Sequence, residues 1–124
     1  MRYWVESEDL WAANAAGVVW HGRPDGRPAI SAVALPGTDD AVVILSGQGL
    51  RMSLGERKRW PNLVRVRPDG TVVWRTSADP SSTEGDAWTS IDLRGDALYG
   101  FTWSCHSCQI DPESGAVLSK VFTK

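Results

Sequence analysis

The sequence predicts an all-β fold of two four-stranded antiparallel meanders, with a short helix ahead of them. Three observations predict it. Apolar and polar residues alternate with period two through short segments, the mark of half-buried strands. Pro, Gly and Asp clusters separate those segments at intervals too short for crossover connections. The plan of the last third also recurs earlier in the chain, with Pro68 and Pro112 about 44 residues apart, a spacing that indicates a repeated structural unit.

At the N-terminus, Ser7 can accept a backbone N–H as a helix cap, Glu8 and Asp9 follow in the first turn, and Gly17 can close the far end. A helix over Glu8 to Ala16 is therefore expected, docked through Leu10 and Trp11, because a helix this short needs packing to persist. Gly17 to His21 then reads as a strand, an edge or a ninth one, and Gly22 to Pro28 as a loop. In the first meander the strands are Ile30 to Leu35, Ala41 to Ser46, Leu63 to Val66 and Thr71 to Arg75, with turns at Pro36-Gly37-Thr38-Asp39-Asp40 and Pro68-Asp69-Gly70. Ala41-Val42-Val43-Ile44-Leu45 is apolar on both faces, so that strand should be covered on two sides, by the N-terminal segment or by a second chain. In the second meander they are Trp88 to Leu93, Ala97 to Ser104, Cys108 to Ile110 and Ala116 to Phe122. Tyr99, Phe101 and Trp103 share one face of the second of these. Pro24-Asp25-Gly26 sits at the same interval before Pro68, as a relic of a third unit would, but Pro28 would interrupt a fourth strand there, so two units are expected. The chain is expected to be one domain over 1–124, with the helix and strand in 1–29, the first unit in 30–77 and the second in 86–124.

Asp96-Ala97-Leu98-Tyr99 followed by Ile110-Asp111-Pro112-Glu113-Ser114-Gly115-Ala116-Val117-Leu118 resembles the blade repeat of quinoprotein (PQQ-like) β-propellers. Asn62 to Trp74 is similar to it as well, ending on the tryptophan that often closes the repeat. The resemblance implies two propeller-blade-like units, packed as a sandwich or as a partial propeller. It says little about activity, because function resides in sites grafted onto the fold. Two open-edged units are completed by a protein partner or by self-association, and cyclic symmetry would make the latter a trimer or tetramer.

A net charge of −2 gives no field for nucleic acid or an acidic membrane. The first residues have neither a basic nor an apolar run, and a cytoplasmic location is the expectation. Ser46 to Pro61 is a basic insertion, where Arg57, Lys58 and Arg59 beside Trp60 can meet an anionic ligand and Arg65, Arg67 and Arg75 can extend the patch. A solvated loop accounts for the same charges. Cys105-His106-Ser107-Cys108 offers thiols and an imidazole for a metal, yet zinc sites of recognisable spacing use two paired knuckles and only one is present, so structural thiols are the simpler reading. Trp88 and Trp103 on strands are assigned to the core; Trp60 and Trp4 are the tryptophans expected at the surface. With two histidines and acids mostly at turns, catalysis is unsupported and no cofactor is expected. The residues favour a non-catalytic binding or scaffold module. The alternatives are a small metal-binding or thiol enzyme using Cys105, His106 and Cys108, and a carbohydrate-binding module using exposed tryptophans.

Overall fold

In the computed structural model, residues 1–48, 56, 60–78 and 86–123 are described. Eleven strands form three antiparallel sheets. The N-terminal sheet holds β1 (Arg2–Glu6), β2 (Asp9–Asn14) and β3 (Gly17–Gly22). The middle sheet holds β4 (Ala29–Ala34), β5 (Ala41–Leu45), β6 (Leu63–Val66) and β7 (Val72–Thr76). The C-terminal sheet holds β8 (Trp88–Arg94), β9 (Ala97–Thr102), β10 (His106–Ile110) and β11 (Val117–Phe122). No helix among the described residues is long and apolar enough to cross a membrane.

The expected helix over Glu8 to Ala16 is replaced by strand β2, and two sheets become three. Ser7 and Glu8 take positive φ values of 52° and 66°, the backbone of a two-residue hairpin turn whose twist matches its strands. Asn14 closes the next turn by accepting the Ala16 N–H on Oδ1. Leu10 and Ala12 then face the middle sheet while Trp11 and His21 pair on the opposite face. Alanine favours a helix intrinsically, but burial of one side of a strand outweighs a propensity of tenths of a kcal/mol per residue.

The middle sheet is buried on both faces, as the unbroken apolar run of β5 requires. Val42 and Ile44 belong to the core shared with Trp74, Trp88, Leu98 and Ile110. Ala41, Val43 and Leu45 belong to the core shared with Leu10, Val64 and Val66, against which Tyr3 and Trp20 pack. The second cover is thus the N-terminal segment of the same chain. Each fully buried Val, Ile or Leu contributes roughly 1.5–3 kcal/mol, so these two seams hold the three sheets as one body.

Three recurring features show which strands correspond. Trp20 of β3 lies on Gly70 in the β6–β7 turn, where an added Cβ would come within 2.4 Å of the ring. Trp74 of β7 lies in the same way on Gly115 in the β10–β11 turn, at 2.7 Å, and its Nε1 donates to the Pro112 carbonyl at 2.8 Å. Both glycines have positive φ, 85° and 80°, so both turns need glycine for space and for backbone. Bulges recur at Ala12/Ala13, Arg65/Val66 and Gln109/Ile110, between β2 and β3, β6 and β7, and β10 and β11. The starts of β4 and β8 are each tied to the preceding sheet, Ala29 N–H to the Glu8 carbonyl at 2.8 Å and Trp88 N–H to Asn62 Oδ1 at 3.2 Å. So β1, β2 and β3 correspond to the second, third and fourth strands of the other sheets. The position of a first strand is open in the N-terminal sheet among the described residues. The third unit therefore turns at Asn14 to Gly17, and Pro24–Gly26 is a short 3-10 turn leading to the middle sheet.

Candidate functional site

The outward face of the C-terminal sheet departs most from the repeat. On the middle sheet, the row that meets its neighbour is Val33, Val42, Arg65 and Trp74. The corresponding row of the C-terminal sheet is Asp92, Tyr99, Gln109 and Ser119. Ser119 occupies the place where Trp20 and Trp74 dock on the next sheet. A serine leaves the volume of an indole empty, and a groove of about 660 Å³ lies there, lined by Ser90, Asp92, Tyr99, Phe101, Ser119 and Val121. Phe101 and Val121 are exposed, and Arg94 covers one face of Tyr99 with its guanidinium carbon 4.3 Å from the ring centroid.

A polar cluster that residue order does not reveal gathers at the β9–β10 turn. Asp86, almost wholly buried, accepts the N–H of Ala87 at 3.0 Å and of Ser104 at 3.1 Å on Oδ1. Its Oδ2 accepts the Ser104 hydroxyl and lies 3.6 Å from Lys120 Nζ. Ser104 Oγ is also 2.8 Å from His106 Nδ1. Burial pushes the Asp86 carboxyl up, but the Ser104 hydroxyl, the Ser104 and Ala87 N–H groups and Thr102 outweigh it and hold the pKa below the ordinary value. An acid, a serine and a histidine thus meet, but in an order unlike a nucleophilic triad. Here the serine sits between the other two and commits its proton to the carboxylate, whereas a nucleophile needs the histidine between serine and acid. The cluster pins the β9–β10 turn, in which Cys105 adopts φ 64°.

The structure separates most of the residues singled out from the sequence. Arg57, Lys58 and Arg59 lie outside the described residues. Trp60 is half-buried and packs against the N-terminal side of the middle sheet, so its expected exposure is corrected. Arg65 does not extend a basic patch: it forms a two-pronged pair with Asp40, both contacts 2.9 Å, and donates to the Pro112 carbonyl at 2.7 Å. Arg75 pairs with Asp25 and Arg67 is exposed. Arg65→Ala is expected to cost about 1.5–3 kcal/mol, because it leaves the partly buried Asp40 carboxylate and the Pro112 carbonyl without their charged donor. Equilibrium urea unfolding measures this, and a loss under about 1 kcal/mol would show the pair to be dispensable.

Cys108 is fully buried in the core, where desolvation pushes its thiol pKa up, whereas Cys105 is exposed on the turn. The two thiols therefore face different environments, and no cluster of three metal-ligating groups occurs among the described residues. Trp88 is buried as expected, but Trp103 is 78% exposed, because β9 ends at Thr102 and the indole projects from the turn. Trp4 is half-buried, stacked on Trp11 with centroids 6.0 Å apart.

Residues 33–122 match the family described as Domain of unknown function (DUF7957). The chain belongs to the DUF7957 family. The matched segment of this DUF7957 protein begins within β4, so the N-terminal sheet lies outside it. No curated protein matches the sequence. Among solved structures it is similar to BamB from Moraxella catarrhalis, a PQQ-like β-propeller protein, with a TM-score of 0.57 and 15% identity. The match covers 99% of this chain and 35% of that one, so the DUF7957 chain spans about a third of the length of the propeller. At this identity the likeness establishes a propeller-blade-like fold and leaves activity open.

Proposed function

We propose that this DUF7957 protein is a non-catalytic binding module in which the outward face of the C-terminal sheet receives a protein partner. The observation that carries this is Ser119 standing where the docking tryptophans Trp20 and Trp74 stand in the other sheets. Asp92 and Ser107 likewise stand where the middle sheet has Val33 and Leu63. Those changes disfavour a further blade packed in the internal manner, and so argue against ring closure by copies of the chain as a trimer or tetramer. They leave an aromatic and aliphatic centre, Phe101 and Val121, within a polar rim, which is the composition of a protein-binding surface. Arg94 on the Tyr99 ring disfavours sugar stacking there, and the burial of Cys108 disfavours a thiol or metal centre.

Site-specific photo-crosslinking in cells tests the reading. A crosslinking amino acid at Phe101 or Val121 is expected to give a discrete protein adduct, and one at Val73, exposed on β7, is expected to give none. Adducts of equal yield from all three positions, or from none, would remove the support. An adduct with the chain itself would instead identify self-association.

A further inference from the structure

We propose that the free edge of β1 is a strand-acceptor site that takes an extended segment of a partner protein in antiparallel pairing. The edge lies on the opposite end sheet from the groove, and the proposal stands or falls independently of it. In the middle and C-terminal sheets the second strand is flanked by a first strand, β4 beside β5 and β8 beside β9. In the N-terminal sheet β1 is the second strand and pairs only with β2 among the described residues. Its outer backbone N–H and C=O groups form an unpaired row, which proteins usually guard with proline, lysine or a bulge. Arg2-Tyr3-Trp4-Val5-Glu6 has no proline or lysine, carries charge only at its ends, and pairs with β2 in unbroken register. Such an edge favours β-augmentation, in which main-chain hydrogen bonds supply affinity and alternate side chains supply selectivity.

The repeat also defines the chemistry of the strand that fits. Tyr3 corresponds to Val42 and Val5 to Ile44, whose partners in β4 are Val33 and Ser31. The incoming strand therefore places an apolar residue opposite Tyr3 and a small one opposite Val5, both facing the middle sheet. In the other two sheets an acid ahead of the first strand meets a cation on the fourth. In the middle sheet Asp25, preceding β4, pairs with Arg75 of β7, with Arg75 Nε to Asp25 Oδ2 at 2.7 Å. In the C-terminal sheet Asp86, preceding β8, lies 3.6 Å from Lys120 of β11. His21 of β3 holds the corresponding position in the N-terminal sheet, stacked on Trp11 with centroids 4.2 Å apart and with its Nδ1 3.8 Å from Asp9 Oδ2, so its acid comes from its own sheet. The partner is thus a proline-free extended segment, about as long as β1, with an apolar and a small residue alternating on one face.

The chain itself contains a near match, since residues 86–94 form a first strand with Ser90 where the small residue belongs and Asp92 where the apolar one belongs, so Asp92→Val completes it. The test titrates the full chain with a synthetic peptide of residues 86–94 carrying Asp92→Val and follows amide hydrogen exchange at Tyr3, Trp4 and Val5. Exchange of the outward-pointing amides is expected to slow by about tenfold or more on saturation. The same peptide N-methylated on alternate amides is expected to have no effect. A second chain carries a copy of residues 86–96, with Asp92→Val in the copy, fused directly ahead of Met1, which corresponds to Ala97, so that the copied Gly95-Asp96 turn returns the strand along β1. In that chain the edge is filled and added peptide is expected to change nothing. Unaltered β1 exchange in the native chain would overturn the proposal, as would equal protection by the N-methylated peptide or in the fused chain.

Discussion

Replacing Trp88 with alanine is expected to destabilise the protein by about 3–5 kcal/mol. The side chain is 2% exposed and lies in the core between the middle and C-terminal sheets. Its ring fills the space left by Gly100, where a Cβ would come within 2.5 Å. Its Nε1 donates to the Thr76 carbonyl at 3.1 Å, and its own backbone carbonyl accepts from Asn62 Nδ2 at 3.0 Å. One residue thus joins the first strand of the C-terminal sheet to the middle sheet through apolar area and through hydrogen bonds. Truncation opens a large cavity and leaves the Thr76 carbonyl without that donor, and the β-sheet around it cannot collapse inward without breaking the Asn62 contacts. Urea unfolding monitored by circular dichroism gives the loss directly. Gly100→Val provides the converse test, because it forces a side chain into the ring from the other strand and is expected to destabilise by a similar mechanism of overpacking. Near-wild-type stability in both variants would show that this seam does not hold the sheets together.

The strands of the middle and C-terminal sheets were legible because local and tertiary signals agreed. Alternation in Trp88 to Leu93 matches a strand with one covered face, and the two-sided apolar run of Ala41 to Leu45 matches one covered on both. The turns at Pro68-Asp69-Gly70 and Asp111 to Gly115 carry their own side-chain bonds, from Thr71 N–H to Asp69 and from Glu113 N–H to Asp111. At the N-terminus the signals conflicted: an alanine-rich stretch after a capping serine has helical local preferences, and the sheet overrides them. Gly17-Val18-Val19-Trp20 carries the opposite signal, because it echoes Gly70-Thr71-Val72-Val73-Trp74 and marks the same fourth strand. The Arg65 pair and the Asp86 cluster were invisible for another reason. Their members meet across 25 and 18 residues of chain, and nothing in residue order indicates which charged side chains a stacked sheet will bring together. The groove was equally hidden, since Ser119 is unremarkable until the register aligns it with Trp20 and Trp74.

Asp86→Ala is expected to cost about 3–5 kcal/mol, the scale for removing one member of a buried charged network. Three donors, the Ala87 N–H, the Ser104 N–H and the Ser104 hydroxyl, lose their acceptor, and Lys120 loses its nearby carboxylate. The same interactions make the contribution of Asp86 dependent on pH. The folded carboxyl has a lowered pKa, while the unfolded one titrates at about 3.9. Between the two values the unfolded state binds the proton and the folded state does not, so stability rises with pH. The contribution is therefore fully present above the unfolded value and is lost as pH falls below it and through the folded value. In Asp86→Asn, which retains the shape but cannot ionise, stability should be lower at neutral pH and fall less steeply on acidification below about pH 4. Parallel urea titrations of the two proteins from neutral to acid pH measure both effects. Equal slopes would show that Asp86 is no more stabilising ionised than neutral, and the β9–β10 turn would then owe its shape to Thr102, whose hydroxyl accepts the His106 N–H at 3.1 Å.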